Sequence, residues 1–539
     1  MTDVLLVQPP VRDFYLTAKR TIPYGLASIA AALAARGFTV DILDALAAPK
    51  SRAAALPPEM ADLEEFYGRP DVSPFALFHR FRHFGSSFDH IGRRAQASGA
   101  WLVGISSLFT PYAEEALAAA AAIRVRHPDG TIVMGGHHPT AMPEHVLASP
   151  AVDYVLRGEG EASLPLLAEA LRDRRPLADI PGIAFRREDG GLHVNPPAMA
   201  TADRLPLPAL DRGDRRRYRR HGRGSTVVVA SRGCPLRCSY CSVAAAAWLP
   251  YRRRPVTQVL AEIETAVRGH GVGFIDFEDE NLALDRGWFL ELLEGVRQRF
   301  ADRALELRAM NGLFPPSLDE TVVAAMAGAG FKALNLSLGS THPEQLRRFC
   351  RPDVRAAFDR ALACAERQAM TAVGYIIVGA PHQSAEESVD DLLFLAQRRV
   401  LAGVSVFYPA PGSADFDLCR RLALLPSSLS RMRSSALPIE HTTQRVDAVT
   451  LLRLGRIVNF MKLLLDRRLL IPPPQSSGAE ALDPADRISS GSRLLARFLA
   501  DGRIRGLTPE GQVYEHRATP RLVERFLRGL NAISPRGTL

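Results

Sequence analysis

The chain has 539 residues, several times the length of one domain, and its 67 basic against 58 acidic residues leave a formal net charge of +9. At 47% hydrophobic and 23% charged it reads as globular rather than disordered, and no apolar run approaches the length a membrane span needs. Apart from residues 211–223 (DRGDRRRYRRHGR) and 252–254, the arginines are scattered, so no continuous nucleic-acid face is indicated.

The N-terminus sets an acid before a strand-like run and lacks the order of a secretory signal, so a cytoplasmic protein is expected. Residues 4–7 (VLLV) are followed by an alanine-rich helix over 22–36 and a strand over 39–43. After an insertion of about fifty residues, rich in aromatics (Phe66, Tyr67, Phe75, Phe78, Phe81, Phe84, Phe88) and expected to form a satellite core, the alternation resumes. Strands at 101–106, 131–134 and 152–156 are separated by helix-length segments. This alternation predicts a doubly wound parallel sheet, which binds ligands in the loops at the carboxyl ends of its strands, here at Gln8, Ser106, Gly135 and Gly158. A hairpin about Asp189-Gly190-Gly191 ends this first unit, residues 1–205, and residues 206–224 read as a solvated basic linker. From residue 225 six strands, at 226–230, 273–277, 305–308, 333–338, 372–378 and 404–407, each precede a helix-length segment and predict an open (βα)6 barrel over 225–425. Ser384-Ala-Glu-Glu387 is a capping box. Residues 426–539 carry helical patterns at 450–470 and 519–530 and read as a mainly helical region of unassigned role.

The chemistry concentrates after the first barrel strand, in Ser231-Arg-Gly-Cys234-Pro-Leu-Arg-Cys238-Ser-Tyr-Cys241. Thiolates at this spacing bind zinc or an iron–sulfur cluster. Structural zinc needs a fourth ligand, and neither Cys350 nor His221 nor His270 stands at finger spacing. Three cysteines on a four-iron cluster leave one iron open to a ligand. Cys350, Cys364 and Cys419 are expected to be packing thiols.

The spacing C-x3-C-x2-C after a strand, with an aromatic before the last cysteine, resembles the signature of the radical S-adenosylmethionine superfamily. The resemblance implies a [4Fe-4S] cluster on Cys234, Cys238 and Cys241, with Tyr240 beside the adenine of S-adenosyl-L-methionine. It also implies that Asp279 and Glu280, in the acidic run closing the second strand, receive the sulfonium ligand's amino group. Residues 336–340 (LSLGS) resemble the fourth-strand segment that contacts ribose or carboxylate through Ser340, although the usual acid is missing. Residues 374–381 (GYIIVGAP), with Gly374 and Gly379, resemble the glycine motif against adenine, and residues 407–413 the sixth-strand end of the cobalamin-binding branch.

Upstream, Met134-Gly-Gly-His-His-Pro-Thr140 and Val155-Leu-Arg-Gly-Glu-Gly-Glu161 resemble the loops of a cobalamin-binding domain, implying corrin contacts from Gly135, Gly136, His137, Thr140, Arg157, Gly158 and Glu159. The first-strand loop, Gln8-Pro-Pro-Val-Arg-Asp13, offers no histidine, so cobalamin without a protein lower ligand is implied. The whole pattern resembles a cobalamin-dependent radical methyltransferase acting on an unactivated carbon of a small-molecule or lipid-like substrate, with an electron donor such as flavodoxin or ferredoxin. A radical cyclase or rearrangement enzyme with the same cofactors stays open, as does a cobalamin or redox sensor.

Overall fold

Apolar runs that are buried on both sides require a sheet covered on both faces. In the computed structural model, which describes residues 2–14, 22–48, 51–78, 80–201, 205–212, 215–246, 248–473 and 482–532, such a sheet organises the first domain. Its strands run, in spatial order, Val40–Asp44, Val4–Gln8, Leu102–Ser106, Thr131–Gly135 and Tyr154–Leu156, all parallel, then Ile183–Arg186 and Leu192–Val194, antiparallel. Alternation divides each strand between two cores. Val4 and Leu6 pack with Leu26 and Leu33 of the helix Tyr24–Ala34 and Leu164 and Leu167 of the helix Gly160–Arg172, while Leu5 and Val7 pack with Ile91 and Ile123 on the other face. The chain starts in an inner strand, goes first to one side and then to the other. The resulting reversal opens a crevice beyond Gln8 and Ser106, where open α/β sheets hold ligands.

The barrel strands follow in the expected order. Arg223–Val228, Val272–Phe277 and Glu306–Ala309 form one parallel sheet, and Ala333–Gly339, Thr371–Val378 and Leu401–Val406 another. Parallel bridges Leu307 to Phe331 and Leu313 to Leu336 join them into one open wall. Ser384 caps the helix Ala385–Ala396, its hydroxyl accepting from the Glu387 N–H at 3.1 Å and its own N–H donating back to the Glu387 carboxylate at 3.2 Å.

Two expectations are corrected. The basic segment is a solvated linker only in part: Asp211, Arg212, Arg216 and Arg217 are exposed, but Arg219–Arg220 pairs antiparallel with the first barrel strand, and the Arg220 guanidinium lies 4.3 Å from the Phe274 ring centre. Gly213 and Asp214 lie outside the described residues. The aromatic insertion is not a satellite either. Tyr67, Phe75 and Phe81 belong to the same apolar core as the barrel and the C-terminal helices, with Phe75 edge-on to Phe460 at 5.8 Å.

The C-terminal region holds the helices Arg445–Asp466, Arg487–Asp501 and Pro520–Ala532, with an unexpected hairpin, Arg505–Leu507 with Val513–Glu515, between the last two. The first of these helices closes the barrel's edge strand. Asn459 accepts from the Ala402 N–H at 2.7 Å and donates to the Ala402 carbonyl at 2.9 Å, supplying the hydrogen bonds a further strand would have given.

Candidate functional site

The carboxyl ends of both parallel sheets face one cavity of about 950 Å³, at the upper end of small-molecule sites. From the first domain Gln8, Ser106, His137, Thr140 and Arg157 reach it, and from the barrel Tyr240 does, as the sequence led one to expect. Thr140 organises the first side: its hydroxyl donates to the Gly136 carbonyl at 2.7 Å and accepts from the Gly158 N–H at 2.9 Å, while Arg157 donates to the Thr140 carbonyl at 3.1 Å.

Gly135, Gly136, Gly158 and Glu159 do not line the cavity. Gly136 has φ +120° and a Cβ there would stand 2.6 Å from the Ser107 carbonyl oxygen. Gly158 has φ +86°, and a Cβ would lie 2.2 Å from the Ala198 carbonyl oxygen. Both glycines are therefore required by backbone packing behind the ligand loops. Glu159 is bound at 2.6 Å by Arg252 and at 3.0 Å by Arg232, and accepts from the Ala200 N–H at 2.6 Å. Its carboxylate fastens the first domain to the cysteine loop.

His137 opens onto the cavity, with the protein mass around it holding its imidazole below the usual range. His138 is fully buried between the Thr110 hydroxyl at 3.3 Å and His145 at 3.1 Å, and burial pushes its pKa down to about 4. The first-strand loop gives Gln8, Pro9 and Pro10 to the cavity and no histidine.

On the barrel side the cysteine loop is held from below by carboxylates. Asp279, 3% exposed, accepts from the Ser231 hydroxyl at 2.6 Å, from the Ser231 N–H, and from the Ala230 N–H at 3.3 Å; burial raises its carboxyl to about 7. With its oxygens so engaged, Asp279 is a loop anchor and not a ligand contact, which corrects its expected role. Glu280 accepts from the Gly233 N–H at 3.1 Å, and burial raises its pKa too. Two donors are aimed at sulfur: the Asn281 amide 3.9 Å from Cys234 Sγ and the Arg351 guanidinium 3.6 Å from Cys238 Sγ.

The donor set fits an iron–sulfur cluster. The three cysteines are unbridged and share one loop, and side-chain N–H donors approach the sulfurs of two of them, as sulfur ligands of a cluster accept. Glycine-backed loops and a large two-sided cavity likewise fit a flat macrocycle.

Three further expectations change. Ser340 is 1% exposed, accepts from the His342 N–H at 3.2 Å and lies outside the cavity, whose wall is made instead by Ser337 and Gly339. Gly374 faces the outer helices, where a Cβ would meet Leu395 and Phe358 at 2.7 and 2.8 Å, while Tyr375 and Ile377 face inward. Gly379, φ +76°, turns the chain beside Thr443 and is also off the wall. Cys364 and Cys419 are buried as expected, but Cys350 is exposed.

Arg351 was not expected. It is 8% exposed, donates to Tyr240 Oη at 3.2 Å and to the Ser337 carbonyl at 2.7 Å, and leaves Nε unpartnered. In a chain this rich in arginine, nothing local marks it.

Comparison with known proteins finds a B12 binding domain matching residues 79–168 and the radical SAM superfamily matching residues 228–395. An uncharacterized methyltransferase of Pyrococcus horikoshii is 27% identical over 52% of this chain and 61% of its own length, so the match spans less than two thirds of that relative. The cytidylyl-2-hydroxyethylphosphonate methyltransferase of Streptomyces wedmorensis is 25% identical over 72% of this chain and 75% of its own. In fold, the chain resembles the radical S-adenosylmethionine methyltransferase TsrM from Kitasatospora setae, solved with cobalamin and a [4Fe-4S] cluster bound. The TM-score is 0.59 at 19% identity, covering 78% of this chain and 79% of that one.

Proposed function

Since the chain joins a B12 binding domain to a radical S-adenosylmethionine barrel and so belongs to the cobalamin-binding radical S-adenosylmethionine enzymes, we propose that it methylates an unactivated carbon of a small-molecule substrate. The observation that carries this reading is the single cavity onto which both sets of strand-end loops open. When bound, the cluster supplies the electron that cleaves S-adenosyl-L-methionine to a 5′-deoxyadenosyl radical, and the corrinoid supplies a methyl carrier.

The chain's own part is to hold and orient. Cys234, Cys238 and Cys241 present thiolates from one loop, which Asp279 and Glu280 fix to the second barrel strand's end. Arg351, behind the wall, donates to Tyr240 Oη and to the Ser337 carbonyl and so sets both of these lining residues in place. Gln8, Ser106, His137, Thr140 and Arg157 face that site across the cavity and are the residues we assign to the corrinoid, held without a histidine from the first-strand loop. Proximity of the two ligands then replaces an encounter in solution. A low-potential cytoplasmic donor, flavodoxin or ferredoxin, would deliver the electron.

The test is stoichiometric. Protein reconstituted with iron, sulfide and hydroxocobalamin, given reductant and an extract holding the substrate, is expected to form one S-adenosylhomocysteine for each 5′-deoxyadenosine. Deoxyadenosine with homocysteine at background would replace methyl transfer by cyclisation or rearrangement. Neither product above background would leave a sensor.

A further inference from the structure

The cavity is charged unevenly. Its charged lining side chains are Asp13, Arg157 and Arg433, together with the neutral-leaning His137, and every one comes from the first domain or from the loop after the barrel. Asp13 and Arg433 stand 3.2 Å apart with side chains 6% and 7% exposed, so they neutralise each other. Arg157 spends its guanidinium on the Thr140 and Asn195 carbonyls. Every lining residue given by the barrel is uncharged, and the bulk of that wall is Val243, Trp248, Met310, Tyr375, Ile377 and Phe407.

The polar atoms on that wall are largely turned into the protein. Tyr375 Oη donates to the Asn335 side chain at 3.1 Å, Ser337 Oγ to the Leu313 carbonyl at 3.1 Å, and the Asn311 amide to the Glu278 carbonyl at 2.8 Å. The same chemistry continues where the cavity meets solvent: Leu108, Phe109 and Tyr408 line it together and are 45%, 38% and 44% exposed, a contiguous apolar patch at its edge.

We propose that the part of the substrate next to the reacting carbon is uncharged and largely apolar, carrying no carboxylate, phosphate or ammonium group there. A charge drawn against this wall would give up its hydration without a counter-ion, whereas an apolar ring or chain gains from the same burial. The inference rests on the methyl-transfer reading for what happens to the substrate, and on the cavity alone for its chemical class.

Equilibrium dialysis of the cofactor-loaded protein against a matched pair of probes tests it: neutral N-phenyl-1-naphthylamine and the same molecule bearing an 8-sulfonate. The neutral probe is expected to bind at least tenfold more tightly. Trp248→Glu and the volume-conserving Met310→Gln should each weaken it at least fivefold, and Leu470→Ser, at a 93% exposed apolar residue elsewhere, should not. Equal or tighter binding of the sulfonate overturns the proposal, as does a neutral probe indifferent to both cavity variants or lost in Leu470→Ser. Because dialysis needs no turnover, its failure is distinct from failure of methyl transfer, which the homocysteine ratio reports.

Discussion

Arg351 lies behind the cluster loop with its guanidinium donating to both Cys238 Sγ and Tyr240 Oη, so that one planar fork holds the sulfur and the ring in register. Arg351→Met is expected to lower iron retention and to cut 5′-deoxyadenosine formation at least tenfold, and Arg351→Lys to restore little, since an ammonium cannot span Ser337, Tyr240 and Cys238 together. Iron analysis and product chromatography check both. His138 gives a pH-dependent prediction. Its folded-state pKa is pushed from 6.5 to about 4, so between these values the unfolded chain binds more protons than the folded one. Stability should therefore fall as pH drops from about 6.5 to 4, by roughly 3 kcal/mol. His138→Gln should flatten that slope in denaturant unfolding at pH 7 and pH 5. At this scale the three cysteines were legible because their spacing alone carries the chemistry. Arg351 was not, because its meaning comes from tertiary contacts across the barrel.

Between elements, the loop after Tyr154–Leu156 meets the cysteine loop through charge. Arg232, two residues before Cys234, binds Glu161 at 2.6 Å and Glu159 at 3.0 Å, and Arg252, its partner in the short antiparallel pair of Ser231–Arg232 with Arg252–Arg253, binds Glu159 as well. Removing one partner of such a part-buried cluster leaves carboxylates uncompensated. Arg232→Met is expected to cost about 3 kcal/mol and to raise amide exchange at residues 158–161, read by mass spectrometry. The elements themselves were largely legible: buried apolar runs marked the parallel strands, and the Ser384 capping box marked a helix start. The errors came from alternation, where a one-residue difference reverses the face. The fourth barrel strand ends at Gly339 with φ +83°, so Ser340 turns away while Ser337 faces the cavity, and on the fifth strand Tyr375, not Gly374, points inward.

Over the whole molecule, the insertion and the C-terminal region close the barrel together. Asp71 accepts from the Leu507 N–H at 3.1 Å, pairs with His516 at 2.8 Å and lies 3.7 Å from Arg453, joining the insertion to segments far along the chain. No local periodicity announces such contacts, so the insertion could not be placed from sequence. Truncation after residue 425 should uncover Leu454, Ile457 and Phe460's partners in the common core and give insoluble protein on expression. The loops proposed to hold the two cofactors are thereby kept around one cavity, and that proposed arrangement is the centre of the account. Electron paramagnetic resonance of the fully loaded protein, reduced so that cob(II)alamin and the one-electron-reduced cluster coexist, tests it most directly. Dipolar splitting or broadening of each signal by the other is the result predicted; two unperturbed signals, each identical to that of the protein loaded with one cofactor alone, would contradict it.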